Sequence, residues 1–175
     1  MNKRTCVISC PIDVWSGYGR RSVDFVKALI KAKDNEWDIK ILSQRWGNCP
    51  FGYLEAHNEQ DLIQRILPQL NYQPEIWFQI TIPPEFQPIG RVFSCGVTAG
   101  IETTICDASW IEGINRMNLT LVSSEHAKNV FKTSEFEQRD KQTNQLIKKI
   151  KLEKPVEVLF EGISTEIFQP VEWVD

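Results

Sequence analysis

Six short apolar, β-prone runs constrain this chain more than any other feature. They are "TCVISC" (Thr5–Cys10), "DIKILSQ" (Asp38–Gln44), "EIWFQIT" (Glu75–Thr81), "RVFSCGVTAG" (91–100), "LTLVSS" (Leu119–Ser124) and "VEVLFEGI" (Val156–Ile163). Segments with helical spacing separate several of them. From Tyr18 onward, Val23, Val26, Leu29 and Ile30 recur at helical intervals, with Arg20, Arg21, Lys27 and Lys31 between them. In "NEQDLIQRILPQL", Leu62, Ile63, Ile66, Leu67 and Leu70 share a helical face, with Asn58 as the expected cap and Pro68 weakening the last turn. "SWIEGIN" reads as a short helical turn, and a further helix runs through "EHAKNVF". "IPPEFQPIG" is expected to be irregular, because Pro83, Pro84 and Pro88 each remove a backbone donor. This alternation predicts an α/β fold: a Rossmann-like parallel sheet of about six strands with helices on both faces. The charged stretch 132–154, ending in "KKIKLEK", reads as a solvated helix or an exposed insertion; its functional alternative is a basic edge touching an anionic substrate.

At 175 residues the chain has room for one domain of ordinary size, and 42% hydrophobic with 25% charged residues suits a globular domain with a real core. A net charge of -3 argues against polyanion binding by bulk electrostatics. No apolar run approaches the roughly 18 residues that a membrane span needs. "MNKRTCVISCPIDVW" starts basic, but Pro11 and Asp13 break its apolar run, so it reads as a first strand rather than a secretory signal. Cys6, Cys10, Cys49, Cys95 and Cys106 make an odd count without a C-x-x-C pair, and neither His57 nor His126 adjoins a cysteine. Free thiols in a reducing cytosol are the expected reading, with no metal site and a cytoplasmic location.

Between the first strand and the first helix stands "SGYG", Ser16–Gly19. In an open α/β sheet, ligands bind beyond the C-terminal ends of the strands. Glycine there permits a sharp turn and close approach of a ligand, and the helix N-terminus offers unpaired N–H groups. The loop suits a diphosphate or a sugar hydroxyl; equally, it reads as a tight turn in which Ser16 caps the helix. A dinucleotide fingerprint is incomplete: position 22 is Ser, and the second strand ends in Gln44 and Arg45 rather than an acid. A phosphate loop of the G-K-[ST] kind is absent from the sequence. A second constellation follows the fourth strand. Glu102 lies just beyond it, with the hydroxyls of Thr103, Thr104 and Ser109, and Trp110 offers a stacking face, although core packing is the commoner use of tryptophan.

These stretches, taken in order, resemble retaining, nucleotide-sugar-dependent glycosyltransferases of the two-Rossmann-domain (GT-B) class, family 4-like. The resemblance rests on "SGYG", on "TAGIETTICDASWIEGIN" against a T-x-G-x-E-T-T … W … N pattern, on "LVSSEHAKNVF" against a V-x-S strand and helix, and on "GISTEIFQP" against a G-[VI]-D-x-x-x-F-x-P hinge. Asp107 stands where such sequences often carry proline, Asn118 where an aspartate is common, and Ser164 in place of the hinge aspartate.

The resemblance implies an N-terminal, acceptor-side domain over residues 1–163 and an interdomain hinge or tail over 164–175. In such enzymes a second Rossmann domain carries most donor contacts, and this sequence ends at "PVEWVD". The expectation is therefore a half-enzyme, hexosyltransferase-like, that is inactive without a second domain, supplied by another chain, or a chain that self-associates through the hinge surface. Gly17, Tyr18 and Gly19 would face the donor. Thr103, Thr104 and Trp110 would line the sugar or acceptor side, and Glu102 would orient the acceptor hydroxyl or act as its base. The partners implied are a nucleotide sugar, as substrate, and a hydroxyl acceptor; no cofactor is implied. Two alternatives stay open: a non-catalytic binding or assembly module that retains the fold, and a nucleotide-binding protein of another kind, which the missing third glycine disfavours.

Overall fold

The computed structural model of the chain describes residues 3–162 and 168–170. Strand β1 (Arg4–Cys10) leads through helix α1 (Gly17–Lys33) to β2 (Trp37–Ser43). Two single-turn helices, α2 (Tyr53–Ala56) and α3 (Gln60–Ile63), precede β3 (Ile76–Ile80). A 3-10 turn (Pro83–Glu85) precedes β4 (Phe93–Thr98), then α4 (Ala108–Arg116), β5 (Leu119–Val122) and α5 (Glu125–Thr133). A hairpin, β6 (Phe136–Arg139) and β7 (Leu146–Ile150), is inserted before β8 (Val156–Val158).

Six strands form one parallel sheet in the order β2-β1-β3-β4-β5-β8. The chain runs outward from β1 to β2, then returns to the other side of β1, so the order reverses between β1 and β3. That is the topological switch point, where an open sheet of this kind leaves a crevice at its C-terminal edge. Period-2 alternation splits the sheet residues between two cores. Cys6, Ile8, Ile39, Ile41, Phe78 and Val97 pack with Val23 and Val26 of α1 and with Leu54 and Leu62. Val7, Trp77 and Val122 pack on the other face with Ile111 and Ile114 of α4 and Val130 and Phe131 of α5. Helices thus cover both faces, as the alternation predicts. Each fully buried Ile, Val or Phe contributes roughly 1.5–3 kcal/mol.

Two expectations need correction. The helix expected from Asn58 to Leu70 is limited to Gln60–Ile63. Asn58 does not cap it; Asn58 sits at φ 55, and the N-cap position is Glu59, with no side-chain cap bond. Beyond it the chain extends and lies alongside the outer edge of β2. Ile41 donates to Arg65 O at 2.9 Å, and Leu67 donates to Ile41 O at 2.8 Å. An edge strand needs partners for its outward amides, and Pro68 cannot prolong a helix, so pairing wins over propensity. The second correction concerns 132–154: the stretch is an exposed insertion, but it is a hairpin rather than a helix. Ser134 stops α5 by donating to Val130 O and accepting from Cys106 N. Asp140 then accepts from the backbone N–H groups of Gln142 and Thr143, and Asn144 takes φ 56, which turns the ribbon.

Two further helices are capped by side chains at their own N-termini. Ser124 caps α5 by accepting from Ala127 N at 3.1 Å, and Asp107 caps α4 by accepting from Ser109 N at 2.8 Å. Asp107 thus has a local role in the fold as the N-cap of α4. The sixth strand is only three residues long. Of the expected hinge or tail over 164–175, residues 164–167 and 171–175, Trp173 among them, lie outside the described residues; Phe168 is exposed. Among the described residues no helix is long and apolar enough to cross a membrane.

Candidate functional site

The loop from Cys10 to Gly19 is built by its own side chains. Asp13 accepts from Gly52 N at 3.2 Å and from Leu54 N at 2.9 Å, so one carboxylate clamps the loop after β1 to the loop after β2. Trp15 N donates to Pro50 O at 3.0 Å, and Val14 pairs with Phe51. Ser16 caps α1, its Oγ accepting from Gly19 N at 2.9 Å. The two glycines differ in kind. A Cβ on Gly19 would lie 1.9 Å from Val14 O, so glycine there lets the helix close on its own loop. A Cβ on Gly17 would meet nothing within 4 Å; its backbone is exposed at the first turn. Gly19 carries the turn, its N–H is already bonded, and Gly17 leaves open space.

Tyr18 joins this loop to the end of β4 across the switch point. Its hydroxyl lies 3.1 Å from Thr98 Oγ1 and accepts from Ala99 N at 3.1 Å. Its ring stacks on Trp46, from the loop after β2, with centroids 4.1 Å apart. Further ties hold the same edge: Gln44 donates to Ile80 O at 2.9 Å, and Ser123 donates to Ala99 O at 2.8 Å. Gly100, at φ +91, turns the chain away from β4 where a Cβ would strike Ala127. The C-terminal ends of five neighbouring strands are thereby cross-linked by side chains.

Glu102, Thr103 and Thr104 are exposed on the loop that starts at this contact. Thr103 donates to Ile105 O at 2.7 Å, and His126 Nε2 lies 3.3 Å from Thr103 O. Among the described residues, neither Glu102 nor Thr104 has a side-chain hydrogen bond. Trp110 is placed differently: it is half-buried in the second core, with its ring 6.0 Å from that of Phe131. The structure therefore brings Tyr18 to the start of the Glu102 loop, leaves Glu102 and both threonines open to solvent, and packs Trp110 against helix α5.

An aromatic lip on the same two loops is not anticipated by the sequence reading. Trp15, 46% exposed, stands edge-on to Tyr53 at 5.1 Å, and Tyr53 stacks on His57 at 4.0 Å. Arg20 donates to the Tyr53 hydroxyl at 2.6 Å and pairs with Asp24 at 3.4 Å. Arg45 sits over the ring of the exposed Phe51 at 5.7 Å. The available signal is "RWGNCPFGY" (45–53), three aromatics in a Gly- and Pro-containing loop, where neither helix nor strand periodicity accounts for them. Beside the lip, a groove of about 560 Å³ runs between α1 and the segment after β8, bounded by Gly17, Arg21, Phe25, Leu159 and Phe160. Arg21 is ion-paired to Glu161 across it.

Nucleophilic thiol chemistry finds no support at the four buried cysteines. Burial pushes the Cys6, Cys10 and Cys95 thiols up to about 12 and raises that of Cys106. Among the described residues no three His, Cys, Asp or Glu side chains gather as metal ligands. The fold and site define an α/β protein with a braced, aromatic-lined edge at its switch point. Comparison with protein-family models, curated proteins and solved structures returned no match.

Proposed function

We propose that this chain is the acceptor-side domain of a retaining, nucleotide-sugar-dependent glycosyltransferase that works with a second, donor-binding Rossmann domain. One observation carries the reading. Two of the four segments that carry the resemblance, "SGYG" and the loop that opens "TAGIETT", meet through Tyr18 at the crevice where open α/β sheets bind ligands. In this reading the open backbone at Gly17 lets a donor diphosphate or sugar approach without meeting a Cβ. Glu102, exposed and free to reorient, holds or deprotonates the acceptor hydroxyl. Thr103 and Thr104 supply neighbouring hydroxyls. The lip of Trp15, Phe51 and Trp46 gives an acceptor ring an apolar face. Trp110, half-buried against Phe131 of α5, supports the loop that carries Thr103 and Thr104.

The described edge is a single open wall, which sets the expected energetics. With few donor contacts, the chain alone should bind nucleotide sugars with dissociation constants on the order of millimolar, about -4 kcal/mol. A closed site that orients both substrates is needed for rate. The test fuses a donor-binding domain of the same class after Pro170 and assays transfer from labelled nucleotide sugars to glycan, lipid, protein and nucleic-acid acceptors. Transfer by the fusion, not by the chain alone, and loss of at least tenfold in Glu102→Gln and Gly17→Val are expected. Robust turnover by the unfused chain would overturn the half-enzyme reading. A fusion that binds acceptors at the lip but never transfers would favour the binding module instead.

A further inference from the structure

We propose that the β6–β7 hairpin is a basic ribbon that binds the phosphodiester backbone of duplex nucleic acid. Residues 132–154 hold seven Lys or Arg against four Asp or Glu, a local net charge of +3 in a chain whose total is -3. Two of the four acids there are engaged, while Glu135 and Glu153 form no ion pair among the described residues. Glu137 pairs with Arg139 at 2.7 Å, and its carboxyl is held low by that guanidinium. Asp140 is spent on the turn, where backbone N–H groups hold its carboxyl low. Lys148 pairs with Glu112 of α4 at 3.2 Å. Among the described residues, Lys132, Lys141, Lys149, Lys151 and Lys154 form no ion pair.

The ribbon is also held firmly enough to present those charges. Ile150 is buried, and Asn115 of α4 donates to Lys151 O at 2.8 Å and accepts from Glu153 N at 2.8 Å. A cleft of about 230 Å³ between β7 and the end of α4 has room for a phosphate; Lys149 and Lys151 line it without an ion pair, against Glu153, while Lys148 is paired with Glu112 and Arg116 donates to the carbonyls of Pro83, Pro84 and Phe86. A two-stranded antiparallel ribbon fits the duplex major groove. Single strands are gripped by exposed aromatics, and the only aromatic on this ribbon, Phe136, is half-buried. The tip, "DKQTNQ" (140–145), is polar; the exposed Leu146 and Ile147 that follow it are an isolated aliphatic pair before Lys148 and Lys149, without the broad apolar helix face that a lipid surface selects. Contacts to phosphate alone make the binding independent of sequence.

The experiment measures anisotropy of a fluorescein-labelled 20-base-pair duplex and of one of its single strands against the full chain, at 50 and 200 mM NaCl. If about five phosphates are neutralised, affinity falls about 500-fold between the two salts. The triple variant Lys149→Gln, Lys151→Gln, Lys154→Gln is expected to weaken duplex binding at least tenfold at 50 mM and to flatten the log–log salt slope by about 2.7. A charge-matched control, Lys31→Gln, Lys33→Gln, Lys40→Gln, is expected to bind within about threefold of the parent. Four results overturn the proposal: no duplex binding at 50 mM salt, tighter binding of the single strand, equal losses in the two triple variants, or binding to phosphatidylserine vesicles without binding to the duplex.

Discussion

Gly17 and Gly19 are two residues apart and do different things, which makes them a controlled pair. Replacing Gly19 by alanine forces a Cβ into Val14 O at 1.9 Å, backbone against backbone, with no flexible atom to yield. The expected cost is about 3 kcal/mol, read as a lower urea midpoint. Gly17→Ala meets open space at a helical position, so it should leave stability unchanged or raise it by up to about 1 kcal/mol. Equal losses from both would contradict the account of the loop. Tyr18 is the third residue of consequence. Tyr18→Phe keeps the stack on Trp46 but strips Ala99 N of its acceptor. About 1–2 kcal/mol is expected, with faster amide exchange at Ala99 and little change on β2. The sequence marks both glycines as equals and leaves open turn or ligand; only the contact with Val14 separates them.

Among the elements, the strands are the legible part. Mostly apolar runs between turn residues announce β1 to β5 because both sheet faces are covered, so positions on either face of the inner strands are buried. The extension at Arg65–Leu67 is not legible. Leu62, Ile63, Ile66 and Leu67 satisfy helical spacing, and nothing local reveals that β2 is an edge with amides to fill. The hairpin is equally hidden, since a ribbon exposed on most of its surface needs no alternation of polarity; its turn chemistry at Asp140 and Asn144 is the one local signal. Nor does the aromatic lip show, because residues in loops carry no period. A prediction belongs at this scale. Asn115 ties the foot of the hairpin to α4 through the backbone of Lys151, Glu153 and Lys154. Asn115→Ala should raise amide exchange from Lys149 to Lys154 and cost about 1 kcal/mol, while amides of β1 and β3 keep their protection. Uniform loss of protection across the sheet would show that the hairpin and the sheet unfold as one unit.

For the whole molecule, the three thiols buried in the α1-side core set an alkaline limit. The native values of Cys6, Cys10 and Cys95 lie at about 12, above the roughly 8.5 of an unfolded chain. Between those limits the unfolded chain releases protons that the native one keeps, so stability is intact below about pH 8.5 and falls as pH rises. The slope is up to about 1.4 kcal/mol per pH unit for each thiol. Urea midpoints at pH 7.5 and 10 should show the fall under reducing conditions, and Cys95→Ala should remove about a third of it. A flat profile would mean that these thiols reach solvent in the native state. The sheet margins have a consequence of another kind. One side strand, β2, has Ile41 occupied by Arg65 and Leu67, and the other, β8, offers only three residues. Within the six-stranded sheet neither presents a long free template for a strand from a neighbouring molecule, which leaves the open edges of the β6–β7 ribbon, with Leu146 and Ile147 exposed, as the place where such pairing would start. In a crowded solution the large sheet is guarded by its margins, and the lysines of the ribbon are the like charges that keep its edges apart, a safeguard the modest net charge of -3 does little to provide.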